Sequence, residues 1–297
     1  MEIAIVTIKD CAIGVIGLGQ MGAGIAENLL KSGFDVTAYD LQLARVERVV
    51  ELGGRAAASS ADLIARCTVV LSVVEGHTAI HLADSLFVPA ARPDQIFIDL
   101  STVPVPETRR IAAAYASKGV RFLDAPISGG KVGAAAGRLR VFVGGEKETA
   151  DYCWPLFLAI GNPEKIVYCG PAGMGQIVKV VQQVTLRLPN LARLEVMMFG
   201  LRAGLDEDLL FRALDVDPAS GDQYAVLYGA IKGGTIDQIS PLVPEWPYYF
   251  AECEAEGFHM PMLEGLYEFV KDAPKTVLDA VCRPEPSVWS ELMTRKR

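Results

Sequence analysis

Short apolar runs alternate with amphipathic stretches through the first half of the chain. Ala12–Ile16, Val36–Tyr39, Thr68–Val73, Ile96–Leu100, Val120–Leu123 and Val141–Gly144 are brief and rich in β-branched residues, the pattern of buried strands. Helical periodicity fills most of the gaps, over Gln20–Lys31, Ser60–Arg66, Glu107–Lys118 and Lys147–Ala159. Strands that alternate with helices predict a mostly parallel sheet with crossover connections. Lys165–Tyr168 predicts a last strand, and residues 1–10 read as a short added strand or arm. After Gly170 the strand signals fade. Gln176–Leu186, Leu191–Ala203, Leu209–Leu214, Tyr224–Lys232, Trp246–Glu256 and Met262–Lys271 are helical in pattern, and Pro189 interrupts the series. The expected organisation is an α/β domain over residues 1–171 and an all-helical domain over residues 172–297.

Composition narrows the partners. The chain has 297 residues, 51% of them hydrophobic and 22% charged, which supplies a core and argues against disorder. With 28 Lys and Arg against 36 Asp and Glu, the net charge is −8. That balance argues against nucleic acid or an anionic membrane as a partner, and a small molecule is expected instead. Six cysteines form no C-x-x-C pair and only three histidines occur, so no metal site is expected. Residues Cys11 to Ala26 are uncharged, but no basic segment precedes them and the run is short for a membrane span. The expectation is a cytoplasmic protein with free thiols.

The first chemical motif follows the first strand. Gly17-Leu18-Gly19-Gln20-Met21-Gly22 joins Ala12–Ile16 to a helix, the context in which G-x-G-x-x-G binds a dinucleotide. Gly17 allows the tight turn, Gly19 admits a pyrophosphate to the backbone, and Gly22 lets the helix pack on the strand. The helix start offers N–H donors to the anion. Asp40 closes the second strand, where an acid accepts hydrogen bonds from a ribose diol and repels a 2′-phosphate. Arg45 is near, but Leu41 and Gln42 follow directly, so NAD is expected rather than NADP.

Two further features point to a substrate. Asp124-Ala-Pro126-Ile-Ser128-Gly129-Gly130 follows a strand, at the sheet edge where α/β proteins bind ligands. Ser128 offers a hydroxyl, and Gly129 and Gly130 expose successive N–H groups, a nest suited to a carboxylate. Lys179 is the only charged side chain between Gln176 and Leu186, surrounded by Ile177, Val178, Val180, Val181 and Val184. Such a lysine needs a partner, a cleft or a snorkelling path, and partial burial would lower its pKa toward that of a general acid/base. Gln183, four residues on, shares its helix face and is placed to hydrogen-bond a substrate. Tyr267 and Lys271 have the spacing of a Tyr-x-x-x-Lys pair but lie far from the sheet, and His77 and His81 read as a polar helix face.

Together these motifs resemble the β-hydroxyacid dehydrogenase family, to which 3-hydroxyisobutyrate dehydrogenase and tartronate semialdehyde reductase belong. Gly17 to Gly22, with Ala26, Asn28, Leu29, Lys31 and Gly33, resembles its cofactor signature. Asp124 to Gly130, with Ala134 and Gly137, resembles its substrate signature, and Gly173-Met-Gly175-Gln-Ile-Val-Lys179 its catalytic one. Ser101-Thr102 matches a cofactor-side motif, and Glu195 with Gly204-Leu-Asp206 fits the long interdomain helix and its end. The resemblance implies a Rossmann-type doubly wound parallel sheet, a helical second domain and NAD(P)-linked oxidation of a short 3-hydroxy acid. It places Lys179 as the acid/base in the interdomain cleft, Ser128, Gly129 and Gly130 on the carboxylate, and Thr102 toward the nicotinamide ribose.

The chain departs from the family pattern in three places. Gln183 stands where the family carries Asn, Glu245 and Trp246 stand where it carries Lys and Asp, and the Ser101–Pro106 loop is one residue longer. The expected protein is a homodimer or homotetramer. The rival readings are an imine or carbonyl reductase and a non-catalytic NAD-binding sensor or scaffold. Lys179 argues for alcohol chemistry over the first and against the second, while Glu245 and Trp246 speak for the second.

Overall fold

The structure, a computed structural model, describes residues 7–185, 200, 203–217, 219, 225, 229 and 246–271. The chain divides into two compact units, Met1–Val180 and Val181–Arg297.

The first unit is built on a nine-stranded sheet. Its strands are β1 Ala12–Ile16, β2 Asp35–Tyr39, β3 Arg55–Ala56, β4 Val69–Ser72, β5 Ile96–Asp99, β6 Arg121–Asp124, β7 Ile127–Ser128, β8 Leu139–Gly145 and β9 Gly161–Gly170. The order is β3-β2-β1-β4-β5-β6-β8-β7, with β9 beside β8. β1 through β6 pair in parallel, β8 runs antiparallel to β6 and β7, and β9 is parallel to β8. This is the doubly wound order, with its switch point between β1 and β4.

The apolar runs become central strands because helices cover both faces of the sheet. β4 and β5 are buried at every position, and Ile13, Val15, Val69, Leu71 and Ile96 are fully enclosed. Burying each such side chain contributes about 1.5–3 kcal/mol. Two clusters form the core, one under the helices Gly22–Lys31 and Lys147–Ile160, the other under Ser60–Arg66 and Val105–Ala116.

The structure adds detail to these expectations and corrects one. The N-terminal arm contains a 3-10 turn at Ile8–Asp10, where Asp10 accepts hydrogen bonds from the Thr7 backbone N–H and hydroxyl. The last strand starts at Gly161 and not at Lys165. Two-residue β3 and β7 and the helix Gly130–Ala135 are too short for a clear sequence pattern, and the amphipathic helix Leu43–Glu51, which buries Val46 and Val49, is an addition to the sequence reading.

In the second unit the regular elements among the described residues are helices, including Glu207–Leu214, Trp246–Ala255 and Pro261–Lys271. Leu191–Ala203 and Tyr224–Lys232 fall largely outside the described residues, as do Pro189 and Glu195. Among the described residues no helix is long and apolar enough to cross a membrane.

Candidate active site

The C-terminal ends of the parallel strands gather the sequence-identified residues of the first unit. The glycine loop leaves β1 at Gly17, whose N–H donates to the Tyr39 carbonyl at 2.9 Å. Gly17 has φ +92°, and a Cβ there would lie 2.4 Å from the Val73 carbonyl oxygen. Only glycine fits that position. At Gly22 a Cβ would meet the Gly17 carbonyl oxygen at 1.9 Å. Its absence therefore lets the helix start close on the loop itself, more than on the strand. At Gly19 a Cβ would meet nothing within 4 Å, which leaves the loop open on that side. Gln20 is exposed and Met21 is half-buried at the N-cap.

Asp40 is buried, and its carboxylate faces the same loop. Oδ2 accepts from the Leu18 N–H at 2.7 Å, and Oδ1 accepts from the Gln42 N–H at 2.8 Å. Arg45 Nη1 stands 3.4 Å from the carboxylate. Asp40 thus fastens the end of β2 to the glycine loop, a job the sequence reading did not assign to it. Arg45 Nη1 is a second, longer donor to each oxygen, beside the short backbone bonds. An open loop backbone, a helix N-terminus and an acid beside them fit the pyrophosphate and ribose of a dinucleotide.

Ser128 is half-buried, and Gly129 and Gly130 are exposed where β7 turns into the helix Gly130–Ala135. Both glycines take positive φ, +139° and +61°, and a Cβ on Gly130 would meet nothing within 4 Å. Lys179 sits beside this turn. It is 5% exposed, on the helix over residues 174–185, and its Nζ donates to the Ile127 carbonyl at 2.7 Å. The structure thus brings the lysine amine to the residue preceding Ser128. Gln183, half-buried, lies one turn further along this helix.

Thr102 is half-buried and held through its neighbours. Ser101 N–H donates to Asp99 Oδ1 at 3.0 Å. Gln176 brackets Thr102, donating from Nε2 to the Ser101 carbonyl at 2.9 Å and accepting on Oε1 from Val103 N–H at 3.3 Å.

The two glycine-rich segments are joined directly. Asn28, on the glycine-loop helix, donates from Nδ2 to the Gly24 and Ala134 carbonyls, both at 2.7 Å. A Cβ on Gly24 would lie 2.8 Å from the Ala134 carbonyl carbon. The helix Gly22–Lys31 therefore packs backbone to backbone on Gly130–Ala135.

Sequence reasoning assigned no role to Asp99, Asp124, Gln176 or Asn28. The available signal was an acid closing each of two successive buried strands. Trp246, one of the two departures from the family pair, is 2% exposed with its ring 6.0 Å from that of Tyr267, so it belongs to the core of its unit. Glu245 lies outside the described residues. Among them no group of three or more His, Cys, Asp or Glu gathers around a common point for a metal.

Residues 12–170 match the family described as the NAD binding domain of 6-phosphogluconate dehydrogenase. The chain is 37% identical over 204 residues to an NAD-dependent L-serine dehydrogenase of Pseudomonas aeruginosa, covering 67% of each protein. It is 36% identical over 203 residues to an L-threonate dehydrogenase of Cupriavidus necator, covering 67% of this chain and 68% of that one. Among solved structures it resembles 3-hydroxyisobutyrate dehydrogenase of Mycobacterium tuberculosis, determined with L-serine. There the TM-score is 0.76 at 25% identity, over 95% of this chain and 98% of the other. With the doubly wound sheet and the glycine loop in place, the chain belongs to the β-hydroxyacid dehydrogenases, a family of NAD-dependent oxidoreductases.

Proposed function

We propose that this protein catalyses the reversible oxidation of a small 3-hydroxy acid, with Lys179 as the acid/base and NAD preferred to NADP. The observation that carries the reading is the lysine itself. It is an almost fully buried amine, anchored at 2.7 Å to the Ile127 carbonyl, next to a half-buried serine and two exposed glycines.

Each residue has a task in this reading. The glycine loop and the start of the helix Gly22–Lys31 hold the pyrophosphate of the cofactor. Asp40 serves the ribose. Arg45 is already paired with Asp40, and the exposed Leu41 offers no charge to a 2′-phosphate. Ser128 Oγ and the N–H groups of Gly129 and Gly130 hold the substrate carboxylate, and Gln183 contributes an amide. NAD, when bound, supplies the acceptor for the hydride of the substrate carbinol carbon. Lys179 Nζ, as the neutral amine, takes the hydroxyl proton, and in the reverse direction its ammonium returns that proton to the carbonyl oxygen. The Ile127 carbonyl keeps Nζ in place through both states.

The substrate class also has support from the relatives, which are named for L-serine, L-threonate and 3-hydroxyisobutyrate, all short hydroxylated carboxylates. The test is NAD reduction over a panel of 3-hydroxy acids, serine analogues and short aldonic acids, alongside alcohols of the same length without the carboxylate, and NADH oxidation with small imines. Turnover confined to the acids supports the reading. Equal turnover of the carboxylate-free alcohols, or turnover of imines alone, overturns it.

A further inference from the structure

We propose that Asp124 and Gln176 are positioning residues for Lys179: together they fix the first turn of its helix against the sheet and against the Thr102 loop. The inference rests on the reading of Lys179 as the acid/base.

The first N–H groups of any helix lack partners within the helix. At the start of the helix over residues 174–185 two of them point at one buried carboxylate. Asp124 Oδ1 accepts from Gly173 N–H at 2.8 Å and Oδ2 from Gln176 N–H at 3.1 Å. Asp124 is 0% exposed, so water cannot replace these bonds if the carboxylate is lost. The contact is cut to fit from both sides. A Cβ on Gly175 would lie 2.7 Å from Asp124 Oδ2 and 2.3 Å from the Phe142 carbonyl oxygen, and one on Gly144 would lie 2.5 Å from Oδ1. Any larger residue at either glycine would push the acid out of place.

Asp124 closes β6, and Ile127 lies three residues after it. One short stretch of chain therefore grips Lys179 at both ends, its helix backbone through Asp124 and its ammonium through the Ile127 carbonyl. A slide or tilt of the first helical turn would draw Nζ away from that carbonyl and from Ser128. Gln176 adds the second coordinate. It is 1% exposed and spends both ends of its amide on the backbone around Thr102, the loop assigned to the cofactor side. The proton-accepting amine and the cofactor-side loop are thus set relative to each other by one side chain, and relative to the substrate turn by another.

The test uses the full-length protein, with Asp124→Asn and Gln176→Met each made alone and in the Lys179→Met background. Either single variant should lower kcat by about 10–100-fold, the effect of a small misplacement of a catalytic group, with NAD affinity and substrate KM little changed. In the Lys179→Met background the same substitutions should lower kcat no further, because they act through the lysine. Amide hydrogen exchange over residues 173–179 should speed up by about tenfold in Asp124→Asn, while exchange in β1 and β4 stays as in the wild type.

An equal loss of kcat in both backgrounds would show a general structural role and overturn the proposal. So would unaltered kcat in both single variants while Lys179→Met is impaired. If Lys179→Met itself turns over normally, the functional reading fails instead. Should neither single variant fold, wild-type exchange still decides: the Gly173 and Gln176 amides must be among the slowest of the chain, and exchange at loop rates overturns the proposal.

Discussion

At Gly19 and Gly22 the glycine loop separates two reasons for lacking a side chain. A Cβ on Gly22 collides with the Gly17 carbonyl oxygen at 1.9 Å, so Gly22→Ala should destroy the turn and with it both stability and NAD binding. A Cβ on Gly19 touches nothing within 4 Å, so Gly19→Ala should leave the melting temperature unchanged. It should still weaken NAD by about tenfold or more, because the methyl group occupies the side from which a pyrophosphate approaches the backbone. Calorimetric titration and thermal unfolding of the two variants check this. Unaltered NAD affinity in Gly19→Ala would move the cofactor off this loop. In the proposed reading Asp40 carries the choice of cofactor. With its carboxylate beside the loop and Arg45 paired to it, NAD should bind more tightly than NADP by about 1–3 kcal/mol. Titration of both dinucleotides reads this directly, and equal affinity contradicts it.

At the scale of elements, the strands and most helices were legible because long apolar runs and helical periodicity are strong signals. The pieces that build the site were not. β7 is two residues long and the helix after it six, too short for any periodicity, and their ends are set by Gly129 and Gly130 at positive φ. The same holds for the two carboxylates that close neighbouring strands. Asp99 and Asp124 are register partners on β5 and β6, and burial pushes each up to about 6 despite the N–H groups that favour the ionised form.

That shift has a definite sign in stability. Between about pH 4 and pH 6 the folded protein holds the Asp124 proton more tightly than the unfolded chain does. The contribution of Asp124 is therefore greatest below pH 4, falls as the pH rises to 6 and is level beyond it. Asp124→Asn lacks this proton, so the stability gap between wild type and variant should narrow by up to about 3 kcal/mol over that range. Urea unfolding at the two ends of the range measures it. A gap that widens with pH would mean that the hydrogen bonds from Gly173 and Gln176 outweigh burial. Packing of the helix Gly22–Lys31 on Gly130–Ala135 gives a second expectation. Gly24→Ala forces its methyl group onto the Ala134 backbone and should destabilise the fold by about 1–3 kcal/mol, seen as a lower urea midpoint with an unaltered slope.

For the whole molecule, the sheet ends at Gly170, where the strand pattern fades, whereas the two compact units divide after Val180. The family resemblance followed from four motifs in order. The internal wiring did not follow, because a hydrogen bond such as Gln176 to Ser101 spans 75 residues and leaves no local trace. The proposed mechanism rests on the Lys179 amine moving the proton. The most direct measurement is the oxidation rate of the best hydroxy acid, as a function of pH, in wild type and Lys179→Met with NAD affinity determined in parallel. The variant should fold, bind NAD as the wild type does, lose about 10²–10⁴ in kcat and no longer show the wild-type rise of rate with pH. A Lys179→Met enzyme that oxidises the substrate at the wild-type rate would contradict this mechanism.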